Sequence, residues 1–289
     1  IMASVKEAEN SKWLQIMLFK SLLANAERNL SGLIPIKNPY CIVALKNNKI
    51  ISVLTIVPYN RRGTCCSLSL DHLNNKDELS NRKQINHLLF KKAIEQEERR
   101  ANSWIFSCAV SSLDEISLAR ELGFQPLKIN KCWNLNTFIN NEENPDDNQF
   151  INSEYEVQAL NNRNKETLWP LYNSSISINL RRILDRDSKD IIDLKHEFSN
   201  IVVSRIDRQK PIAIAAILKQ PTGNNILTFD FFRYLAWDSR LESAIPLLLS
   251  KLNINNQTVS LETNSEDNRI SEILLKKGWI EKNEKILFG

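Results

Sequence analysis

Cysteine and histidine are the side chains that most often build metal sites and nucleophilic sites, and their spacing in this chain favours neither. The chain has five cysteines and three histidines. No two cysteines are spaced as Cys-x-x-Cys, and no cluster has the spacing of metal ligands, so no metal is expected. An odd number of thiols, mostly in apolar runs, is typical of a reduced, cytoplasmic protein. The residues are Cys41, Cys65, Cys66, Cys108, Cys132, His72, His87 and His196.

Two short helical stretches of similar sequence, residues 112–124 and 266–279, indicate a repeated unit. Each stretch ends at a glycine, Gly123 or Gly278, that can adopt the left-handed conformation which terminates a helix. A tryptophan upstream in each half keeps nearly the same separation, which supports a duplication. We expect both tryptophans to lie in a core. They are Trp13 and Trp169.

The starts of these two helices carry the spacing of a capping box. In such a box a hydroxyl side chain and a glutamate three residues later each bond to the other's backbone amide. The first box pairs Ser112 with Glu115, and the second pairs Thr263 with Glu266. We therefore expect side-chain caps at both helix starts.

The composition is that of a soluble globular protein. With 289 residues the chain suits two domains of ordinary size, and 42% hydrophobic and 25% charged residues exclude a disordered chain. No segment is long and apolar enough to cross a bilayer, so no membrane partner is expected. A net charge of +4, spread over both halves, favours a solvated surface over a nucleic-acid partner.

The stretch from residue 140 to residue 149 is acidic, broken by proline and poor in hydrophobic residues, so it predicts a linker. This places one domain at residues 1–140, a linker at 141–153 and a second domain at 154–289. Each half is predicted to follow the order strand, two helices, three antiparallel strands, helix, strand, helix, strand. The fold class is therefore α/β (α+β), with a mixed, mostly antiparallel sheet flanked by helices in each domain.

This order, with a glycine and an aromatic residue after the last helix, resembles the GNAT superfamily of acyl-CoA-dependent N-acyltransferases, here as two tandem domains. Residues 120–124 (Arg-Glu-Leu-Gly-Phe) match most closely, and residues 277–279 (Lys-Gly-Trp) match more loosely. The resemblance implies transfer of an acetyl or other acyl group from acetyl-CoA or another acyl-CoA to the amine of a small molecule or peptide.

In the family, acyl-CoA lies between the splayed fourth and fifth strands, with its pyrophosphate on the start of the next helix. Free backbone amides and the helix dipole hold the anion there. The family's loop is rich in glycine, whereas none of the six glycines of this chain falls at either helix start. In the first half the resemblance implies cofactor contacts by Leu70, Leu73, Asn81, Arg82, Lys83, Gln84, Ile85 and Asn86.

The two helix starts differ in charge. Ser239 and Glu242 are spaced as a capping box in the second half, where Asp238 adds another negative charge. Arg82 and Lys83 make the start in the first half positive. We therefore expect the first half to bind the cofactor, although both residues could equally serve as solvated surface.

The resemblance also implies a base that takes a proton from the attacking amine, often a carboxylate on the fourth or fifth strand. Asp71 and His72 end the predicted fourth strand and are the candidates. A strand-end aspartate that caps a turn is the alternative interpretation. The tyrosine acid that the family often places four residues before the glycine is replaced by Ala119 in the first half and by Leu274 in the second.

Two other functions remain open. The missing glycines favour an inactive binding or scaffolding protein built on two GNAT folds. Aminoacyl transfer from tRNA needs a continuous basic surface. The arginines that could form such a basic surface alternate with aspartates along the sequence. The negative charges of the aspartates cancel most of the positive potential of the arginines. The arginines are Arg181, Arg182 and Arg186, and the aspartates are Asp185, Asp187, Asp190 and Asp193.

Overall fold

The computed structural model describes residues 40–46, 49–72, 82–97, 100–135, 154–192, 199–204, 211–220, 227–252 and 259–289. The predicted first strand, the helix that contains Trp13 and the linker at 141–153 lie outside these residues. Leu73, Asn81 and Asp193 do so as well, and for His72 the structure describes the backbone.

Eleven strands, seven α-helices and one short 3₁₀ helix (Lys165–Thr167) are found within the described residues. The strands are β1 (Tyr40–Lys46), β2 (Lys49–Pro58), β3 (Cys65–His72), β4 (Ser103–Ala109), β5 (Pro126–Leu135), β6 (Tyr155–Ala159), β7 (Asn200–Ser204), β8 (Ile212–Lys219), β9 (Leu227–Arg233), β10 (Val259–Asn264) and β11 (Trp279–Phe288). The helices are α1 (Arg82–Glu97), α2 (Leu113–Glu121), α3 (Leu168–Ser175), α4 (Ile178–Leu184), α5 (Ser188–Ile192), α6 (Leu241–Ser250) and α7 (Asn268–Lys276). The mixed α/β class is confirmed.

The chain forms two compact units. Unit 1 contains Ile1–Leu127, Arg182–Arg186 and Ile286–Gly289, and unit 2 contains Lys128–Arg181 and Asp187–Lys285. The units are not identical with the predicted halves. Most of β5 belongs to unit 2, and the end of β11 belongs to unit 1, so each unit takes a segment from the other half of the sequence.

In unit 1 the strand order is β1-β2-β3-β4-β11. Strands β1 and β2 are antiparallel, β2 and β3 are antiparallel as well, and β3 and β4 are parallel. Helices α1 and α2 bury their apolar residues against this sheet because those residues recur at helical spacing. Phe90 of α1 packs edge-on against Phe106 at 5.1 Å and Phe124 at 6.5 Å between ring centres.

The segment Arg182–Arg186 is held in unit 1 by the turn between β2 and β3. The Asp185 carboxylate accepts hydrogen bonds from Arg62 at 2.7 Å and from the Thr64 hydroxyl at 2.6 Å. Asp185 has a φ of 46°, in the left-handed region. The Arg186 guanidinium lies 3.7 Å from the centre of the Tyr59 ring. This piece of the second half of the sequence is therefore part of the structure of unit 1.

In unit 2 the strand order is β11-β5-β10-β9-β8-β7-β6. The ladders from β6 to β9 are antiparallel, β9 and β10 are parallel, and β10 and β5 are antiparallel. Helix α6 buries Leu241, Ala244, Ile245 and Leu248 in the core. The fully buried Trp133 of β5 joins that core and donates its indole N–H to Thr263 Oγ1 at 2.9 Å.

The two repeated helices end as predicted and begin differently. Gly123 and Gly278 have φ angles of 88° and 79°, which confirms the left-handed termination of α2 and α7. Both capping-box predictions are wrong. Ser112 makes no side-chain cap. Helix α7 is capped by Asp267, whose carboxylate accepts from the Ile270 amide, while the Thr263 hydroxyl is used by Trp133.

Trp169 is not a core residue, contrary to the prediction. Its ring stacks on Tyr172 at 6.2 Å and stays partly exposed. Helix α3 buries Leu168, Leu171 and Tyr172 instead. None of the five cysteines forms a disulfide, and four of them are buried. Among the described residues no helix has the length and apolar character needed to span a membrane.

Candidate functional site

A fork opens in unit 1 where two parallel strands separate. Strands β3 and β4 are paired from Cys65 and Ser103 to Leu68 and Phe106, and their ladder ends there. The rest of β3 stays bonded to β2, with Asp71 opposite Val53. We call this opening the first fork. The carboxyl ends of separating parallel strands are a common place for a ligand, because their backbone groups face an open cleft.

The two faces of the first fork differ in polarity because side chains alternate along a strand. Leu68 and Cys108 are buried towards α1 and α2, where Leu70 also packs. The opposite face presents Ser69, Asp71 and Ser107, all exposed. Asp71 therefore shares the exposed part of this face with two serine hydroxyls, and its cross-strand neighbour is the buried Val53.

Asp71 and Cys108 both have raised pKa values, with different consequences. Partial removal from water raises the pKa of the Asp71 carboxyl, which makes its ionised form a stronger base. Burial, assisted by the charge of Glu115, raises the pKa of the Cys108 thiol to about 11. Cys108 is thus a protonated core thiol at neutral pH and not a nucleophile.

The predicted cofactor residues at the start of α1 are spread over several environments. The first turn of α1 carries no acidic residue. Arg82 is partly buried, Lys83 and Gln84 are exposed, Ile85 packs against the core of unit 1, and Asn86 is 5% exposed. The Asn86 side chain therefore faces the protein interior, so it does not obstruct the helix start.

Lys83 makes contacts with α2. Its ammonium lies 2.5 Å from the Glu121 carboxylate and 3.3 Å from the Ser117 hydroxyl. The hydrogen bond from Lys83 lowers the pKa of Glu121. The side chains are 52% and 44% exposed, so solvent screens the ion pair and an incoming anion could compete with Glu121.

Unit 2 contains a second fork. Strands β9 and β10 are paired from Leu227 and Val259 to Asp230 and Glu262 and then separate. Arg233, at the end of β9, binds the Asp267 carboxylate at 2.6 Å, and both side chains are largely buried. A buried ion pair thus lies at the open end of the second fork, whereas no such pair is found in the first fork within the described residues.

The start of α6 does not have the predicted capping box. Neither Ser239 nor Glu242 caps this helix with its side chain. The Asp238 carboxylate accepts from the Arg240 backbone amide at 3.0 Å and from its guanidinium at 2.6 Å. Hydrogen bonds from Arg240 lower the pKa of Asp238. The acid at this helix start is therefore Asp238, which already occupies a backbone amide and a guanidinium that an external anion would use.

Comparisons with known proteins bear on the fold. No family model and no curated protein match this chain. A GCN5-related N-acetyltransferase from Sphaerobacter thermophilus superposes with a TM-score of 0.55 at 12% identity, covering 91% of this chain and 84% of that chain. A Drosophila protein superposes with a TM-score of 0.54 at 12% identity, covering 94% and 88%.

The chain has the GNAT fold. The predicted fold is confirmed at this level. At such low identity the likeness shows the fold alone, because one fold can carry many activities.

A surface cavity of about 610 Å³ lies in unit 2 of this GNAT fold, at the loop that follows β9. Its lining is Ser174 and residues 234–239. The Trp237 ring lies 5.2 Å from the Arg233 guanidinium and 5.0 Å from that of Arg269. Within the described residues the Trp237 indole N–H has no hydrogen-bond partner. Sequence reasoning missed this cavity because the arginines that hold the tryptophan come from separate elements.

A row of ionisable side chains crosses one face of the unit 2 sheet, and we call it the charge row. Glu262 lies opposite both Asp230 and Cys132 in the strand register. The Lys285 ammonium binds Glu262 Oε1 at 2.7 Å, and the Gln220 amide binds Asp230 Oδ1 at 2.7 Å. Sequence reasoning also missed this row, since its members come from four strands distant in sequence. Lys128 completes it.

Proposed function

We propose that the chain is an acyl-CoA-dependent N-acyltransferase whose first fork binds the acyl-CoA. Its products would be free CoA and an N-acylated small molecule or peptide. The separation of β3 and β4 after Leu68 and Phe106 is the observation that carries the proposal. The start of α1, without an acidic residue in its first turn, supports it.

The start of α1 suits a pyrophosphate. Free backbone amides and the positive end of the helix dipole favour an anion at this place. Arg82 and Lys83 add positive charge, and Lys83 would exchange Glu121 for a phosphate oxygen. Leu70, Leu73, Asn81, Gln84, Ile85 and Asn86 remain predicted contacts.

Asp71 is the proposed base. Acyl-CoA supplies a thioester carbonyl, and an amine that enters the exposed side of the first fork attacks it. Asp71 accepts the proton that the amine loses, and its raised pKa brings it nearer to the operating pH. His72, the next residue, remains the second candidate for this role. Ala119 and Leu274 cannot protonate the leaving thiolate, so solvent at the open fork supplies that proton.

Calorimetry with acetyl-CoA tests the binding step. We expect heat of binding with the full chain, and weaker binding for Arg82→Ala and Lys83→Ala. Lys92→Ala is the matched control, because Lys92 lies on the same helix and pairs with Glu95 at 3.9 Å, away from the helix start. Absence of heat at millimolar acetyl-CoA with a folded protein would remove the proposal.

A binding or scaffolding protein without chemistry is the second candidate. The ion pair of Lys83 with Glu121 supports it, because that pair satisfies Lys83 without a ligand. Glu121→Gln separates the two functions. If Lys83 binds a phosphate, this variant binds acetyl-CoA more tightly than the parent chain. Equal absence of binding in both proteins would favour the scaffold.

Aminoacyl transfer from tRNA is the third candidate and has less support. Arg186 lies on Tyr59, and Arg181 donates to Asn173 at 2.9 Å, so both arginines serve contacts within the chain. Asp185 binds Arg62. We therefore expect no salt-dependent binding of tRNA in a gel-shift experiment.

A further inference from the structure

The cavity at the loop that follows β9 has the size and the lining of a small-molecule site. Its volume of about 610 Å³ lies within the range of cavities that hold small organic ligands. The loop supplies a consecutive apolar stretch, residues 234–237, in which Leu235 is 69% exposed. Hydroxyl groups of Ser174, Tyr234 and Ser239 complete the polar part of the lining. The cavity therefore suits a ligand with an apolar body and few polar groups.

The loop that forms the cavity is held in place by contacts within unit 2. Nη1 of Arg233 donates hydrogen bonds to the carbonyl oxygens of Tyr234 at 2.7 Å and Leu235 at 3.0 Å. Nε of the same guanidinium donates to the Asp267 carboxylate at 2.6 Å. Since these contacts already order the wall of the cavity, a ligand loses little free energy to ordering the loop.

The guanidinium of Arg269 is available at the edge of this cavity. The carboxylate of Asp238, which lines the cavity, is paired with Arg240 at 2.6 Å, and Arg233 is paired as well. Arg269 is exposed, and its guanidinium lies 5.0 Å from the centre of the Trp237 ring in the cavity wall. In the part of the chain that the structure describes, no carboxylate pairs with Arg269. A planar cation thus lies beside an aromatic wall, where it can bind an anionic group.

We infer that this cavity binds a small organic anion, a carboxylate or sulfonate with an aromatic or other apolar body. The Arg269 guanidinium donates hydrogen bonds to the anionic group, and the body packs against Leu235 and its neighbours in the loop. Acyl-CoA is not this ligand, because the Asp238 carboxylate already accepts from the backbone amide at the start of α6 that a pyrophosphate would use. The inference goes beyond the proposed function, since it requires neither acyl-CoA nor the first fork.

The test uses two fluorescent dyes with the same aromatic body and different charge. Anilinonaphthalene sulfonate is an anion, and phenylnaphthylamine lacks the sulfonate. Both are titrated into the full chain, and fluorescence gives the affinity. We expect Arg269→Gln to weaken binding of the sulfonate about tenfold, the size of one charged hydrogen-bond contact, and to leave binding of the neutral dye unchanged. Lys276→Gln is the matched control, because Lys276 is an exposed cation at the other end of the same helix, and it should change neither affinity.

Further readouts locate the dye and separate this site from the proposed cofactor site. Hydrogen exchange with the sulfonate dye should slow at residues 234–239, and Leu235→Asn should weaken both dyes with unchanged circular dichroism. Acetyl-CoA should not displace the dye. If the dye binds in this way and acetyl-CoA does not bind at all, the cavity is supported and the proposed function is contradicted. Three results would overturn the inference: equal affinities of the sulfonate for Arg269→Gln and the parent chain, protection outside residues 234–239 alone, or displacement of the dye by acetyl-CoA.

Discussion

In unit 1 the parallel strands separate after an apolar pair, Leu68 and Phe106, whereas in unit 2 they separate after two carboxylates, Asp230 and Glu262. Past these pairs the first fork exposes hydroxyl side chains and Asp71, while the second fork contains the buried ion pair of Arg233 with Asp267. The two forks have the same arrangement of parallel strands, but they differ in where their charged side chains lie.

The helix starts repeat this difference. At α1 no acidic residue lies in the first turn, and Lys83 is held by an exposed ion pair that an anion can replace. At α6 the Asp238 carboxylate binds the Arg240 amide and guanidinium. An external anion at α6 must displace a charge that belongs to the chain. The two helix starts therefore differ in their acidic side chains: Asp238 binds a backbone amide at α6, whereas the first turn of α1 contains no acid.

The largest expected effect is on stability and distinguishes buried from exposed charge. Arg233→Ala leaves Asp267 largely buried without its guanidinium, and we expect a loss of about 3 kcal/mol of unfolding free energy. Lys83→Ala breaks an exposed pair and should leave the melting temperature almost unchanged. Thermal denaturation measures both variants. Equal melting temperatures would show that the two forks do not differ in this way.

The next effect is on catalysis. Asp71→Asn removes the proposed base, and kcat for acyl transfer should fall about a hundredfold while KM for acetyl-CoA stays the same. In the parent chain kcat should fall as the pH drops through the raised pKa of Asp71, because the base must be ionised. Asp230→Asn in the second fork is the control. If Asp230→Asn lowered kcat more than Asp71→Asn did, the reaction would have to take place in unit 2.

A smaller effect is expected on cofactor affinity. Lys83→Ala should weaken acetyl-CoA binding about fivefold, since an exposed charge contributes about 1 kcal/mol to a phosphate contact. The corresponding variant in unit 2, Arg240→Ala, should not change the affinity, because Arg240 is bound to Asp238. Calorimetry gives both constants. If Arg240→Ala weakened acetyl-CoA binding more than Lys83→Ala did, the cofactor would bind at the start of α6 and not at the start of α1.

The smallest expected effect is on stability, because the ionised Asp71 carboxylate destabilises the folded state. The folded state holds the Asp71 proton more tightly than the unfolded chain does, so ionised Asp71 disfavours folding above its raised pKa. Asp71→Asn should therefore raise the melting temperature at pH 7 by at most about 2 °C. Below about pH 4, where both states are protonated, the gain should vanish. A lower melting temperature at pH 7 would indicate that Asp71 makes a stabilising contact.

Much of the fold could be predicted from local patterns. Two β-rich runs on either side of the polar sequence 46–49 predict the β1–β2 pairing, and Gly123 and Gly278 predict two helix ends, because these features depend on neighbouring residues. The capping boxes were wrong because tertiary partners intervened: Trp133 took the Thr263 hydroxyl, and Asp267 capped α7.

The candidate site was harder to predict from the sequence, again because its contacts involve residues that are distant in sequence. The fork at Asp71 follows from the order of strands, but the partners of Lys83 lie on α2. The charge row needs β5, from the first half of the sequence, beside β10 from the second. Such pairings between distant strands leave no periodic signal in the sequence, so the charge row could not be recognised from it.

Hydrogen exchange of the full chain, with and without acetyl-CoA, tests the central claim most directly, since it reports on both forks in one experiment. The account predicts slower exchange at residues 69–72 and 82–86 and no change at residues 231–233 and 241–245. Protection confined to the second pair of segments, or protection of neither pair at saturating acetyl-CoA, would contradict it.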